Sequence, residues 1–265
     1  MQRTANVTRL DNAGGQYAAV EWQARVDLAA AHRLADARGY NEGIFNHFTL
    51  VAPGRTDRFL VIPFGLHWSE VTASVFLEVS LDDGAVMRGT GEVERSAYCI
   101  HGPLHRRGPE AACVLHTHMP FASAFTRIEN GRLAPTGQTE AGLAGMSAYD
   151  DSYTGLAFDP AEGARLGNVL GDNKILFMAN HGVIVIGSTV AEAFDRLYYL
   201  ERACQVQLYA MWTGRPLKLL PEAVVKRTFE QFETAPKYHG GRLPCDIHFD
   251  ALKRTLDRTD TSYKT

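Results

Sequence analysis

Cys113-Val114-Leu115-His116-Thr117-His118, read together with Ile175-Leu176-Phe177-Met178-Ala179-Asn180-His181-Gly182-Val183-Ile184-Val185-Ile186, decides the architecture of this chain. The first stretch is an apolar run of strand length ending in two histidines spaced by two. A strand's period of two puts both imidazoles on one face of a sheet. In the second, two apolar runs flank Asn180-His181-Gly182, where a loop set against a core places a polar side chain in a cleft. Three neutral imidazoles with an open position match the composition of a catalytic zinc site. Taken alone, the residues leave that reading open beside plain structural histidines.

Outward from these strands the pattern is mixed. An amphipathic helix is predicted from Ala18 to Arg38, with Gly39 as its stop. β-rich runs follow at Ile44–Val51, Arg58–Ile62 and Val75–Ser80, the last turning through Asp83-Gly84 into Val86-Met87. Arg95 to Arg106 reads as helical with a break at Gly102-Pro103, and a helix opens at Pro120 and runs to Ile128. Asp159 caps a helix to Leu170, and Thr189 with Glu192 has capping-box spacing before the longest helix, to Met211. Helical stretches at 222–233 and 249–257 complete the chain. The expected division is an N-terminal extension (1–17), a metal-binding domain (18–215) and a helical tail (216–265) that contacts a neighbouring subunit.

Composition removes several classes of function. The 265 residues carry 27 basic and 30 acidic side chains, a net charge of −3, without a long basic block, so neither nucleic acid nor an anionic membrane is an expected partner. No apolar stretch approaches the roughly 20 residues that span a bilayer, and Met1 to Gly15 lacks the apolar run of a secretory signal. A cytoplasmic location is expected. Cys99, Cys113, Cys204 and Cys245 are scattered, which fits reduced thiols. Structural roles are assigned to His32, His67, His239 and His248, while His101 and His105 read as groups behind the ligands or facing substrate.

At these residues the chain resembles the class II aldolase and adducin family. The resemblance runs from about Val26 to Asp257 and rests on Gly43-Ile44-Phe45-Asn46-His47-Phe48-Thr49, Gly108-Pro109-Glu110, the His-x-His strand, the Asn-His-Gly turn and Tyr198 to Cys204. It implies a three-layer α/β/α sandwich around a mixed, largely antiparallel sheet, assembled as a homotetramer. By position it makes His116, His118 and His181 ligands of one divalent metal, zinc or iron(II), with manganese or cobalt as variants. It places Asn46, His47, Phe64, Gly65 and Thr90 at the substrate.

One departure bears on the chemistry. The general acid/base Glu of the sugar-phosphate aldolases falls at Ala97, and their phosphate-binding Ser-Ser is replaced by Val93-Glu94-Arg95-Ser96. Glu94, Glu140, Tyr149 and Tyr153 are the candidate substitutes, residue types that more often serve a solvated or capping role. His47, His101, Glu140 and Tyr149 form the expected proton-transfer set. Restoring the carboxylate with Ala97→Glu is expected to raise any residual retro-aldol rate. The resemblance is strongest to the adducin-like branch, yet adducin heads lack the metal ligands. The favoured expectation is metal-dependent C–C cleavage of an unphosphorylated 2-oxo or hydroxy acid. The alternatives are an iron oxygenase that decarboxylates aromatic 2-oxo or 2-hydroxy acids, as some bacterial members do, and a non-catalytic interaction module.

Overall fold

The computed structural model describes residues 17–234 and 241–265. Along the chain run α1 (Ala19–Asp36), β1 (His47–Val51), β2 (Arg58–Val61), β3 (Leu77–Ser80), β4 (Val86–Arg88), α2 (Arg95–His105), β5 (Cys113–Thr117), α3 (Pro120–Phe125), α4 (Gln138–Ala144) and β6 (Ser147–Asp150). They are followed by α5 (Pro160–Leu170), β7 (Ile175–Met178), β8 (Val183–Gly187), α6 (Val190–Met211), α7 (Glu222–Glu233) and α8 (Pro244–Leu256). The strands form one sheet in the order β4-β3-β2-β1-β5-β8-β7-β6, antiparallel at every pairing except β6–β7. This is the mixed, largely antiparallel sheet that the family resemblance implied.

Strand alternation sorts the side chains into two helical layers. Phe48, Leu50, Leu60, Cys113, Leu115, Phe177, Val183 and Val185 face one way and pack with α1 and α6. Val114, Leu176, Met178, Ile184 and Ile186 face the other way and pack with α2 and α5. Each fully buried aliphatic side chain contributes about 1.5–3 kcal/mol.

α2 differs from its sequence reading, because it runs unbroken through Pro103. A proline there leaves the Cys99 carbonyl without its helical partner. α5 answers this by setting Gly163 against it, where a Cβ would lie only 2.1 Å from the Cys99 oxygen. The helix from Pro120 ends earlier than expected, at Phe125. α4 and β6 were not anticipated.

The tail folds back onto the body. α8 lies against α1 and α6 with Phe249 buried, Tyr263 is fully buried, and the Ala73 N–H donates to the Tyr263 carbonyl at 2.9 Å. α7 rests on α4 and buries none of its own residues. Of the expected N-terminal extension, residues 1–16 lie outside the described residues, as does His239. No helix among the described residues is long and apolar enough to cross a membrane.

Candidate metal centre

Sheet register assembles the site. β1 and β5 pair so that His47 stands opposite His116, and β5 and β8 pair so that Thr117 stands opposite Val183. The start of β1, the end of β5 and the turn before β8 therefore meet at one end of the sheet. There the ring centroids of His116, His118 and His181 lie 4.7–4.9 Å apart, and one nitrogen from each falls within 4.8 Å of the others.

Two of the outer nitrogens are already committed. His116 Nδ1 donates to the Val183 carbonyl at 3.0 Å, and His118 Nδ1 pairs with the Glu42 carboxylate. His118 Nε2 is buried without a hydrogen-bond partner. A ligand histidine normally holds its second nitrogen in this way while the first faces a cation. Burial, reinforced by the neighbouring His118 and His47 rings, lowers His181 to about 4. Burial also holds His116 and His118 below the ordinary histidine range. All three rings are therefore neutral, the form that offers a lone pair. This donor set fits zinc or iron(II), with manganese or cobalt as variants.

Two asparagines with positive φ shape the loops, Asn46 (φ 99°) and Asn180 (φ 57°), a conformation this residue type tolerates better than most. Asn46 Oδ1 accepts from the backbone N–H of Glu42 at 3.1 Å and of His118 at 3.4 Å. Its buried Nδ2 is left unpartnered. The turn carrying His181 is held by Arg127, which donates to the His181 carbonyl at 3.1 Å. It also needs Gly182, where a Cβ would meet the Thr117 carbonyl at 2.4 Å and the His118 ring at 2.7 Å. Gly182→Ala should therefore push the turn off β5 and weaken metal affinity by about 10–100-fold, the usual cost of disturbing the groups behind a ligand. Zinc titration against a competing chelator measures it, and an unchanged affinity would count against this packing.

His47 and His101 adjoin the three rings. The His47 ring is 5.3 Å from that of His116, and its Nε2 faces Ser96 Oγ at 3.1 Å and Glu94 Oε2 at 3.3 Å. Glu94 also caps α2 by accepting the Ala97 N–H at 2.9 Å, so the capping role and the histidine contact coexist. Burial raises the Glu94 pKa, but hydrogen bonds from His47 and Ser96 outweigh it and hold the carboxyl at about 2.

Phe64 and Gly65 lie on the loop beyond β2 at the same end, with Phe64 6.3 Å from Phe45 and both rings exposed. The Phe64 N–H donates to the Glu92 carbonyl at 2.8 Å, tying that loop to the segment holding Thr90, which is exposed two residues beyond β4. Tyr153 stands 6.2 Å from the His181 ring.

Glu140 and Tyr149 are not brought to the histidines. Tyr149 has the opposite strand parity to Ala148, stacks on Phe177 and accepts the Leu133 N–H at 3.1 Å. Glu140 belongs to α4, on the α6 side of the sheet. The expectation for Ala97→Glu is corrected as well. Ala97 is fully buried against Phe59, Val61, Leu77 and Val79, where a carboxylate would be desolvated without a partner.

Sequence reasoning missed Glu42, Thr49 and Arg127. Glu42 had a signal, an acid four residues before Asn46, whereas Thr49 looks like any strand threonine. The structural roles given to His32, His67 and His248 agree with their contacts to Leu28, Ser69 and Asp195.

Comparison with known proteins bears on the family and the fold. The sequence profile described as "Class II Aldolase and Adducin N-terminal domain" matches residues 26–208. A Pseudomonas aeruginosa protein, provisionally named an aldolase class 2 protein, is 33% identical over 249 residues, covering 94% of this chain and 95% of its own. Rat alpha-adducin is 34% identical over 91% of this chain, which spans only 34% of that longer protein. The crystal structure of an aldolase II superfamily protein from Pseudomonas syringae superposes with a TM-score of 0.86 at 33% identity, covering 96% of this chain and 99% of that one.

Proposed function

Because this chain belongs to the class II aldolase and adducin family, we propose that it is a metal-dependent lyase cleaving a carbon–carbon bond in a small, unphosphorylated 2-oxo or 2-hydroxy acid. The observation that carries this reading is the convergence of three neutral imidazoles with one buried, unpartnered nitrogen among them. His116, His118 and His181 would hold zinc or iron(II). When bound, the metal supplies a Lewis acid for the negative charge that develops on substrate oxygen.

The remaining roles follow from this chain's own groups. Asn46 has its Oδ1 occupied by two backbone N–H groups, which leaves its buried, unpartnered amide N–H as the donor for a substrate oxygen. His47 moves the proton, with the ionised Glu94 carboxylate 3.3 Å from its Nε2. This pair takes the place of the carboxylate missing at position 97. Glu94 belongs to the segment that replaces the family's phosphate-binding Ser-Ser and so disfavours phosphorylated substrates, while Phe45 and Phe64 offer apolar surface to a substituent.

The same aromatic rim favours a second reading, an iron oxygenase acting on aromatic 2-oxo or 2-hydroxy acids. Assaying metal-loaded protein on aliphatic and aromatic 2-oxo and 2-hydroxy acids under air and under argon separates the two. Unchanged turnover under argon supports the lyase, and strict dependence on oxygen supports the oxygenase. A metal-free, inactive protein would instead support an adducin-like interaction module. The proposed setting is a cytoplasmic homotetramer of chains each comprising a metal-binding domain (18–215) and a tail (216–265). Family members are commonly oligomeric, and α7 offers exposed surface to a neighbour.

A further inference from the structure

Behind His47, away from the metal side, runs a line of buried groups whose hydrogens can be assigned one by one. His105 Nδ1 lies 2.7 Å from the Ala111 carbonyl, which can only accept, so Nδ1 carries the hydrogen. Burial lowers the His105 pKa to about 4, which leaves the ring neutral and its Nε2 bare. Thr49 Oγ1, 2.8 Å from that Nε2, has one hydrogen and gives it there. Its 3.4 Å approach to the Val114 carbonyl is too long to compete.

With the hydroxyl hydrogen spent, Thr49 Oγ1 can only accept from His101 Nδ1, 2.6 Å away. His101 is also kept neutral by burial, so its Nε2 is bare, and His47 Nδ1 at 3.2 Å must be the donor. Each assignment forces the next, from the Ala111 carbonyl to the ring at the metal centre.

We propose that Thr49 and His105 are positioning residues that impose one tautomer on His47, with hydrogen on Nδ1 and Nε2 left as its exchangeable position toward Ser96 and Glu94. The inference rests on His47 being the proton-transfer group only for its functional meaning, since the tautomer exists without substrate. The direction of the line is set by a backbone carbonyl, which has no alternative protonation state. A side-chain terminus could flip and carry the whole line with it.

The test is ¹⁵N NMR of the full chain labelled at histidine and loaded with zinc, recorded without substrate. In the wild type, the pyrrole-like nitrogen of His105, His101 and His47 should be Nδ1, with Nε2 of His105 and His101 pyridine-like. Thr49→Val, which keeps the shape and removes the hydroxyl, should turn the single His101 and His47 patterns into tautomer mixtures while zinc per chain stays at its wild-type level. Thr49→Ser should restore the single pattern. A wild type with His101 protonated at Nε2 overturns the proposal even where Thr49→Val fails to fold, and so does a folded Thr49→Val with unchanged His47 and His101 signals. A failed substrate panel leaves these readouts untouched, so the two readings fail separately.

Discussion

Replacing His116, His118 or His181 with Ala, one at a time, should take the metal content from about one ion per chain to nearly none. The three rings meet at strand ends, and no carboxylate stands among them to fill a vacated position. Glu42 stands behind His118, and in the His116 and His181 variants its carboxylate stays engaged by His118 Nδ1. Two imidazoles then remain for a cation that needs three protein ligands. Turnover should fall by about three orders of magnitude, the rate equivalent of the several kcal/mol a Lewis acid supplies. Atomic absorption on the dialysed variants measures the first quantity, and full occupancy in all three would remove the site assignment. Circular dichroism should stay native, because the apolar layers are built by other residues.

Acid should weaken the fold by several kcal/mol well before the carboxylates titrate. His32 and His105 are buried, and burial lowers each pKa from 6.5 to about 4, against a smaller opposing effect from hydrogen bonds to the Leu28 and Ala111 carbonyls. Above pH 6.5 both rings are neutral whether the chain is folded or not, and stability does not depend on them. Between pH 6.5 and about 4 the unfolded chain takes up protons that the folded chain refuses. Stability then falls by about 1.4 kcal/mol per pH unit per ring, or about 2 kcal/mol each at pH 5. Below pH 4 both states are protonated and this dependence ends. Urea titrations at pH 7 and pH 5 read the difference, and equal midpoints would contradict it.

What the sequence made legible, and what it did not, follows from the range of the interactions involved. The His-x-His strand and the Asn-His-Gly turn could be read because a strand's period and a loop between apolar runs are local properties. Tyr149 and Glu140 were misplaced because alternation along Ser147–Asp150 separates two faces without saying which one meets the metal. That choice is made by pairing with β7 and by the helices above it. The Glu42–His118 pair spans 76 residues and the Thr49–His105 contact 56, so both exist only once β1 lies beside β5 and α2 covers them. α4 and β6 went unread because seven- and four-residue elements are too short to show a period.

The proposed substrate-facing segments, around Phe45, Phe64, Glu92, Tyr153 and His181, gather at one end of the sheet, whereas the helices pack along its faces. Recognition and shape are thus separately heritable. A lineage can rewrite the segments around Phe45, Phe64 and Glu92, and so change diet, while the helices keep their packing on the sheet's faces. A protein as similar as 33% identical with the same outline is then a guide to ancestry and to where chemistry happens, and a poor guide to which molecule is consumed.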